Sequence, residues 1–363
     1  MSSIIDYQNY TKKMKQRKNY MKLKFMLSVL VVGLVINVLQ TNFIQNNSST
    51  PAIPIVGSEK EEIFANVKEK LHNHQNTYKV SKPVTLIPQA FAESREYDDL
   101  SAYAVIDYAT GNVLADKNLE KKLPIASLTK IMTAIVVLDL ANPDEKFSVS
   151  QKAAGIMPTK IGVDTGELLT VEELLNATLL TSANDAAEVI KEGIDVKYDD
   201  EIFIRAMNEK AQFIGLKNTH FDNPQGFDGE NYSSVHDYAI LTHYALTYYP
   251  LISHIVAKES EFLPDTDHHK RYFLPNWNGL IGVYPNTIGV KIGNTRLAAK
   301  TTAVVAERNG KRVLAIALGA PDVLKRDLWT AQLLDLGFQE KYGLEPVKVT
   351  EDQLRSKYAM WDW

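Results

Sequence analysis

Ser127 and Lys130 stand three residues apart, a spacing that on a helix puts a hydroxyl and an amine on one face. A serine hydroxyl is a poor nucleophile until a neighbouring base takes its proton. Lysine can be that base only when its pKa falls, which burial and a second cation both achieve. The run after it, Ile131 to Leu140, is almost unbroken apolar, so Lys130 opens a helix that belongs inside a core. Lys291 is the candidate second cation. Ser127 also falls at the predicted helix start, where free backbone N–H groups favour a developing oxyanion. Two further short constellations follow in order, Ser182-Ala183-Asn184 and Lys291-Ile292-Gly293.

Each constellation alone is ordinary. A Ser-x-x-Lys occurs about once by chance in a chain of this length. Its bland form is a helix-capping serine followed by a surface lysine with its stem laid on apolar neighbours. Ser-x-Asn commonly makes turns and caps, and a lysine on a strand is unremarked. The order of the three and the sequence around them lift the set.

The positioning elements are legible on either side. Ala102 to Asp107 and Asn112 to Asp116 flank Tyr108-Ala109-Thr110-Gly111 as a hairpin. Thr170 with Glu173 makes a capping box that opens a helix carrying Val171, Leu174, Leu175 and Leu179, and Asp185 reads as the cap of the next helix. Strand-like runs return at Asn286 to Gly293, Thr301 to Glu307 and Arg312 to Leu318, the last two joined through Asn309-Gly310. An amphipathic helix, Leu324 to Phe338, closes the domain. Strands at both ends with helices between predict an α+β fold, an antiparallel β-sheet packed against a helical cluster.

Leu123-Pro124-Ile125-Ala126-Ser127-Leu128-Thr129-Lys130-Ile131-Met132-Thr133-Ala134 resembles the nucleophile segment of the low-molecular-mass penicillin-binding proteins, the serine D-alanyl-D-alanine carboxypeptidases of peptidase family S11. Thr170 to Leu175 leading into Ser182-Ala183-Asn184-Asp185-Ala186-Ala187 is similar too. So are Lys217 to Phe221 with Asn223-Pro224-Gln225-Gly226-Phe227-Asp228, and Leu318-Gly319-Ala320-Pro321. The resemblance runs from about Ala102 to Phe338. It implies a β-lactamase/transpeptidase-like fold in which Ser127 attacks the carbonyl between two terminal D-alanines of a peptidoglycan stem peptide. Lys130 would be the general base, Ser182 the proton relay and Asn184 the holder of the peptide carbonyl. Lys291 would polarise Ser182 and attract the terminal carboxylate, with Gly293, Asn294 and Thr295 beside it. The N–H groups of Ser127 and Asn294 would form the oxyanion hole. β-Lactams would acylate Ser127; no metal or cofactor is implied.

The third motif departs from the family's Lys-Thr-Gly, because Ile292 cannot donate the hydrogen bond a threonine gives the carboxylate. Losing one charge-assisted bond costs about 1.5–3 kcal/mol of binding. Ala299 stands where the family often has glycine, and Lys300-Thr301-Thr302 lacks the small residue a substitute motif needs. Either Arg296 or Thr295 takes over the carboxylate, or the cleft binds wall peptides with little or no turnover. A class A β-lactamase is the nearer enzyme rival, but Glu172 and Asn176, which have its Glu-x-x-x-Asn spacing, precede Ser182.

The totals exclude other classes. The 363 residues are 45% hydrophobic and 23% charged, a globular composition. A net charge of −4 gives no support to a nucleic-acid partner. Without cysteine there is no disulfide, thiolate metal site or cysteine nucleophile. No His-Glu-x-x-His occurs, and His72-x-His74 and His268-His269 lie in polar stretches. The basic run Lys12, Lys13, Lys15, Arg17, Lys18, Lys22 and Lys24 precedes the apolar stretch Phe25 to Leu39. Extended to Ile44, that stretch reaches about the 20 residues a bilayer-spanning helix needs. Its flanking charge places the N-terminus in the cytoplasm and the rest outside; a cleaved signal peptide is the competing reading. The expected organisation is a cytoplasmic basic tail (1–22), a membrane signal-anchor (23–44), a linker with a short helix (45–99), a catalytic domain (100–340) and a C-terminal tail (341–363).

Overall fold

The structure, a computed structural model, describes residues 56–82, 96–198 and 201–361. In chain order the helices are α1 (Val56–Leu71), α2 (Lys130–Leu140), α3 (Gln151–Ala154), α4 (Val171–Leu179), α5 (Asn184–Tyr198), α6 (Ile202–Ile214), α7 (Val235–Tyr248), α8 (Pro250–Val256), α9 (Val323–Tyr342) and α10 (Glu351–Ala359). The strands are β1 (Ala102–Asp107), β2 (Val113–Lys117), β3 (Leu123–Pro124), β4 (Lys146–Ser148), β5 (Leu168–Thr170), β6 (Tyr232–Ser233), β7 (Ser260–Leu263), β8 (Tyr272–Pro275), β9 (Thr287–Thr295), β10 (Ala299–Arg308) and β11 (Lys311–Ala320).

Five strands form one antiparallel sheet in the order β2-β1-β11-β10-β9. Side chains alternate across a strand, so each strand serves two cores. Ala104, Ile106, Ala303, Val305, Leu314 and Ile316 face the helical cluster. Tyr103, Val105, Val304, Ala306, Val313 and Ala315 face α9, packing with Leu333, Leu334 and Phe338. This is the α+β arrangement that the sequence predicts. The strand at one edge is β9, which carries Lys291 and Gly293.

Helix α2 is apolar all round because it runs through the middle of the helical cluster, with nine of its eleven residues buried. The expected capping box at Thr170 and Glu173 is present. Asp185 departs from its expected role as a cap. It lies within the first turn of α5, and its carboxylate accepts from the backbone N–H groups of Ile161, Gly162 and Val163 at 3.2, 2.8 and 3.2 Å. It therefore pins a loop from elsewhere in the chain, a long-range contact that no local pattern announces.

The stretch read as a linker also does more than connect. Residues from Glu59 onward belong to the same compact unit as the sheet, and Phe64, Val67, Leu71 and Val80 are buried in the main core. At the far end the expected tail contains α10, whose Leu354 is fully buried. The predicted span 23–44 lies outside the described residues. Among the described residues no helix is long and apolar enough to cross a membrane.

Candidate active site

A single turn of 3-10 helix, Ala126–Thr129, delivers Ser127 immediately ahead of α2. Ser127 is half-buried while Lys130 is fully buried. Lys130 Nζ has three polar neighbours: Ser127 Oγ at 2.8 Å, Asn184 Oδ1 at 2.7 Å and the Gln225 carbonyl at 2.8 Å. Two of these, the amide oxygen and the main-chain carbonyl, can only accept. An uncharged amine has two N–H groups and one lone pair. With both N–H groups donated to Asn184 and Gln225, the lone pair is left for the Ser127 hydroxyl.

The surroundings favour that uncharged form. Burial first, and then the charge of Lys291, push the Lys130 amine well below the usual lysine range, against an opposing pull from Asp185. Lys291 is itself buried, and burial followed by the Arg326 guanidinium lowers it to about 7. Its ammonium donates to the Ile292 carbonyl at 3.1 Å. The site thus holds a base whose proton affinity a neighbouring cation lowers.

Asn184 is fixed from both sides. Its Nδ2 donates to the Pro158 carbonyl at 2.6 Å, and its backbone N–H to the Thr159 carbonyl at 2.8 Å. Ser182 is buried in the turn between α4 and α5 with a positive φ of 61°, a conformation that costs a non-glycine residue about 1 kcal/mol or more. Such strain persists where the surrounding structure over-determines a side chain's place.

Strand β9 and the nucleophile turn meet at Gly293. A β-carbon there would lie 2.4 Å from Thr301 Oγ1, 2.9 Å from Ala126 Cβ and 3.0 Å from the Ile125 carbonyl. Glycine is what lets the edge strand approach Ser127. Thr301 donates its hydroxyl to Ile125 O at 3.1 Å and Thr302 to Lys291 O at 3.2 Å; both are fully buried. These hydroxyls tie the strand to its neighbours and do not restore the missing threonine. Ile292 is nearly buried. Asn294 receives the Lys300 ammonium on its Oδ1 at 2.7 Å, and Thr295 Oγ1 accepts from the Ala298 N–H at 3.0 Å. Arg296 is exposed.

Ser127, Lys130 and Asn184 therefore meet at one nitrogen, and Lys291 acts on it through space. Two participants were not visible as such in the sequence. The Gln225 carbonyl is main chain and has no residue signature; Asn223 shapes its loop by accepting from the Gln225 and Gly226 N–H groups at 3.2 and 2.7 Å. Arg326 sits on an amphipathic helix with no motif around it. Its burial, unusual for arginine, is the signal that marks it. His72 and His74 do not converge on a metal site; they stack on Phe213 and Tyr248 at 4.2 and 4.9 Å.

Known proteins resemble this chain in sequence and fold. The family described as D-alanyl-D-alanine carboxypeptidase matches residues 90–322. DacF, a D-alanyl-D-alanine carboxypeptidase of Bacillus subtilis, is 33% identical over 276 residues, 73% of this chain and 70% of that protein. The crystal structure of the D-alanyl-D-alanine carboxypeptidase DacD from Francisella tularensis matches with a TM-score of 0.61 at 26% identity, covering 70% of this chain and 73% of that one. Penicillin-Binding Protein D2 from Listeria monocytogenes, in its ampicillin-bound form, matches with a TM-score of 0.58 at 28% identity, covering 68% and 99%. On its motifs, its fold and these matches, the chain belongs to the S11 family of D-alanyl-D-alanine carboxypeptidases.

Proposed function

We propose that this protein is a serine D,D-carboxypeptidase that removes the terminal D-alanine from peptidoglycan stem pentapeptides through an acyl-enzyme on Ser127. The observation that carries it is the Lys130 amine, buried and 2.8 Å from Ser127 Oγ, with its two other polar neighbours able only to accept. Lys130 takes the hydroxyl proton as Ser127 Oγ bonds to the scissile carbonyl carbon. The carbonyl oxygen becomes an oxyanion facing the Ser127 and Asn294 N–H groups. Collapse breaks the C–N bond; Ser182 passes its proton to the departing D-alanine amine and takes in return the one on Lys130, which is uncharged again. Water then hydrolyses the ester with Lys130 again as base, freeing Ser127.

Lys291 draws the substrate's terminal carboxylate, and Thr295 or Arg296 on the same edge takes the place of the hydroxyl that Ile292 lacks. β-Lactams acylate the same serine, a reading that the ampicillin-bound form of the Listeria relative supports. The test is release of D-alanine from a pentapeptide by wild type and Ser127→Ala, alongside fluorescent-penicillin labelling of both. Labelling without D-alanine release favours the second reading, a degenerate wall-peptide binder, which Ile292 motivates. Loss of both in Ser127→Ala only, with release intact in wild type, establishes the enzyme.

The basic run and apolar stretch at 12–44 support a single-pass anchor that holds the domain on the extracytoplasmic face of the cell membrane, with the lipid bilayer as a partner. Fractionation of the full chain, with protease added to intact cells, checks that placement. Recovery of the folded domain from the cytoplasm would refute it.

A further inference from the structure

Both acceptors that hold Lys130 trace back to one helix, α5. Asn184, in its first turn, accepts from Lys130 Nζ directly. Glu188 stands one turn further along, on the same face. Its Oε2 accepts from the side-chain amide of Gln225, the residue whose main-chain carbonyl meets Lys130 at 2.8 Å. Glu188 and Gln225 are both buried, 4% and 6% exposed. A buried carboxylate is costly unless it is paired and hydrogen-bonded. Glu188 is both, because its Oε1 accepts from Lys152 on α3, whose side chain is mostly exposed. The main chain around Gln225 has supports of its own. Asn223 takes the Gln225 and Gly226 N–H groups, and Thr133, three residues after Lys130 on α2, donates to the Pro224 carbonyl at 2.7 Å. Those contacts leave the Gln225 side chain unheld, and Glu188 holds it.

We propose that Glu188 is a positioning residue for the reaction: through the Gln225 amide it keeps the Gln225 carbonyl on Lys130, so that α5 governs both acceptors that orient the base. The inference rests on the reading of Lys130 as the base of Ser127. With the carbonyl in place, one N–H of the amine is turned away from Ser127. When the carbonyl drifts, that N–H is free to turn onto Ser127 Oγ. The lone pair then no longer meets the hydroxyl proton, and proton transfer slows because its geometry is lost. Both side chains of the tether are buried and stand behind the base, so the loss falls on bond making and not on ligand binding.

The experiment is stopped-flow acylation of the full chain by a fluorescent penicillin over a range of concentrations, for wild type, Glu188→Ala, Gln225→Ala and the double variant. Saturation separates the limiting acylation rate constant from the half-saturating concentration, and the amplitude counts the folded, active fraction. Each single variant should lower the limiting rate constant by about 10-fold and leave the half-saturating concentration within about 2-fold of wild type. The double variant should be no slower than the slower single, because both changes cut one link. Limiting rates at the wild-type value, or a loss confined to amplitude, overturn this proposal and leave the Lys130 reading standing. Losses that multiply in the double variant overturn it as well. A wild type that is not acylated overturns both readings. Gln225→Ala leaves Glu188 paired with Lys152 and decides the matter by itself if Glu188→Ala does not fold.

Discussion

Gly226 lies so close beneath Ala126 that a β-carbon on residue 226 would stand 1.9 Å from the Ala126 carbonyl oxygen and 2.7 Å from Thr129 Oγ1. Gly226 also has φ +76°, and Ala126 itself is left-handed at +51°. The loop that offers the Gln225 carbonyl to Lys130 and the turn that carries Ser127 are therefore packed backbone on backbone. Gly226→Ala should displace one of them. Acylation by fluorescent penicillin should fall by about 10²-fold or more, as misplacement of a reacting group by an ångström does. A variant that labels at the wild-type rate would show that this contact does not set the nucleophile's place.

Replacing the base separates its chemistry from its packing. Lys130→Met keeps the apolar stem and removes the lone pair. The expected loss in acylation rate is about 10²–10⁴-fold, the range of general-base catalysis, while Ser127→Ala abolishes labelling outright. Stopped-flow acylation checks it, and a Lys130→Met rate within a few fold of wild type would contradict the assignment.

The two lysines predict a bell-shaped dependence on pH. Lys130 works uncharged, so activity grows as pH rises through its depressed pKa. Lys291 works charged, so activity declines as pH rises past about 7 in the free enzyme. A bound carboxylate favours the charged form of Lys291. The alkaline limb of kcat should therefore lie above that of kcat/KM, which a D-alanine release assay at saturating and limiting peptide measures.

Ile292→Thr returns the family's hydroxyl to the strand. One charge-assisted hydrogen bond to the substrate carboxylate should lower KM, raising kcat/KM about 10-fold or more. An unchanged or lower value would mean that Lys291, with Thr295 or Arg296, already satisfies the carboxylate.

Away from the cleft, Lys210 and Asp139 form a fully buried ion pair at 2.9 Å. Lys210 also donates to the Leu71 carbonyl and, at 2.9 Å, to Asn73 Oδ1, clamping the end of α1. Lys210→Met leaves Asp139 without its counter-charge, held only by the Tyr249 hydroxyl and the Asn73 amide, a loss of about 3–5 kcal/mol, whereas pairing it with Asp139→Leu should recover much of that. Denaturant unfolding of the single and double variants measures both.

What the sequence determined by itself was local or periodic. The apolar run after Lys130, the capping box at Thr170 and the Asn309-Gly310 turn each depend on neighbours within a few residues, and all stand in the structure where their patterns placed them. The three motifs named the groups, because their order and context were written along the chain. Only the tertiary structure decided what those groups touch. Asp185 pins a loop over 20 residues away, Gln225 offers a carbonyl with no side-chain signature, and the charge of Arg326, beyond the last motif, lowers the pKa of buried Lys291. Burial of Lys130 and Lys291, and hence their depressed pKa values, arises only when a helix and a sheet edge close over them. A spacing of three residues places an amine beside a hydroxyl, but only a packed interior removes its proton.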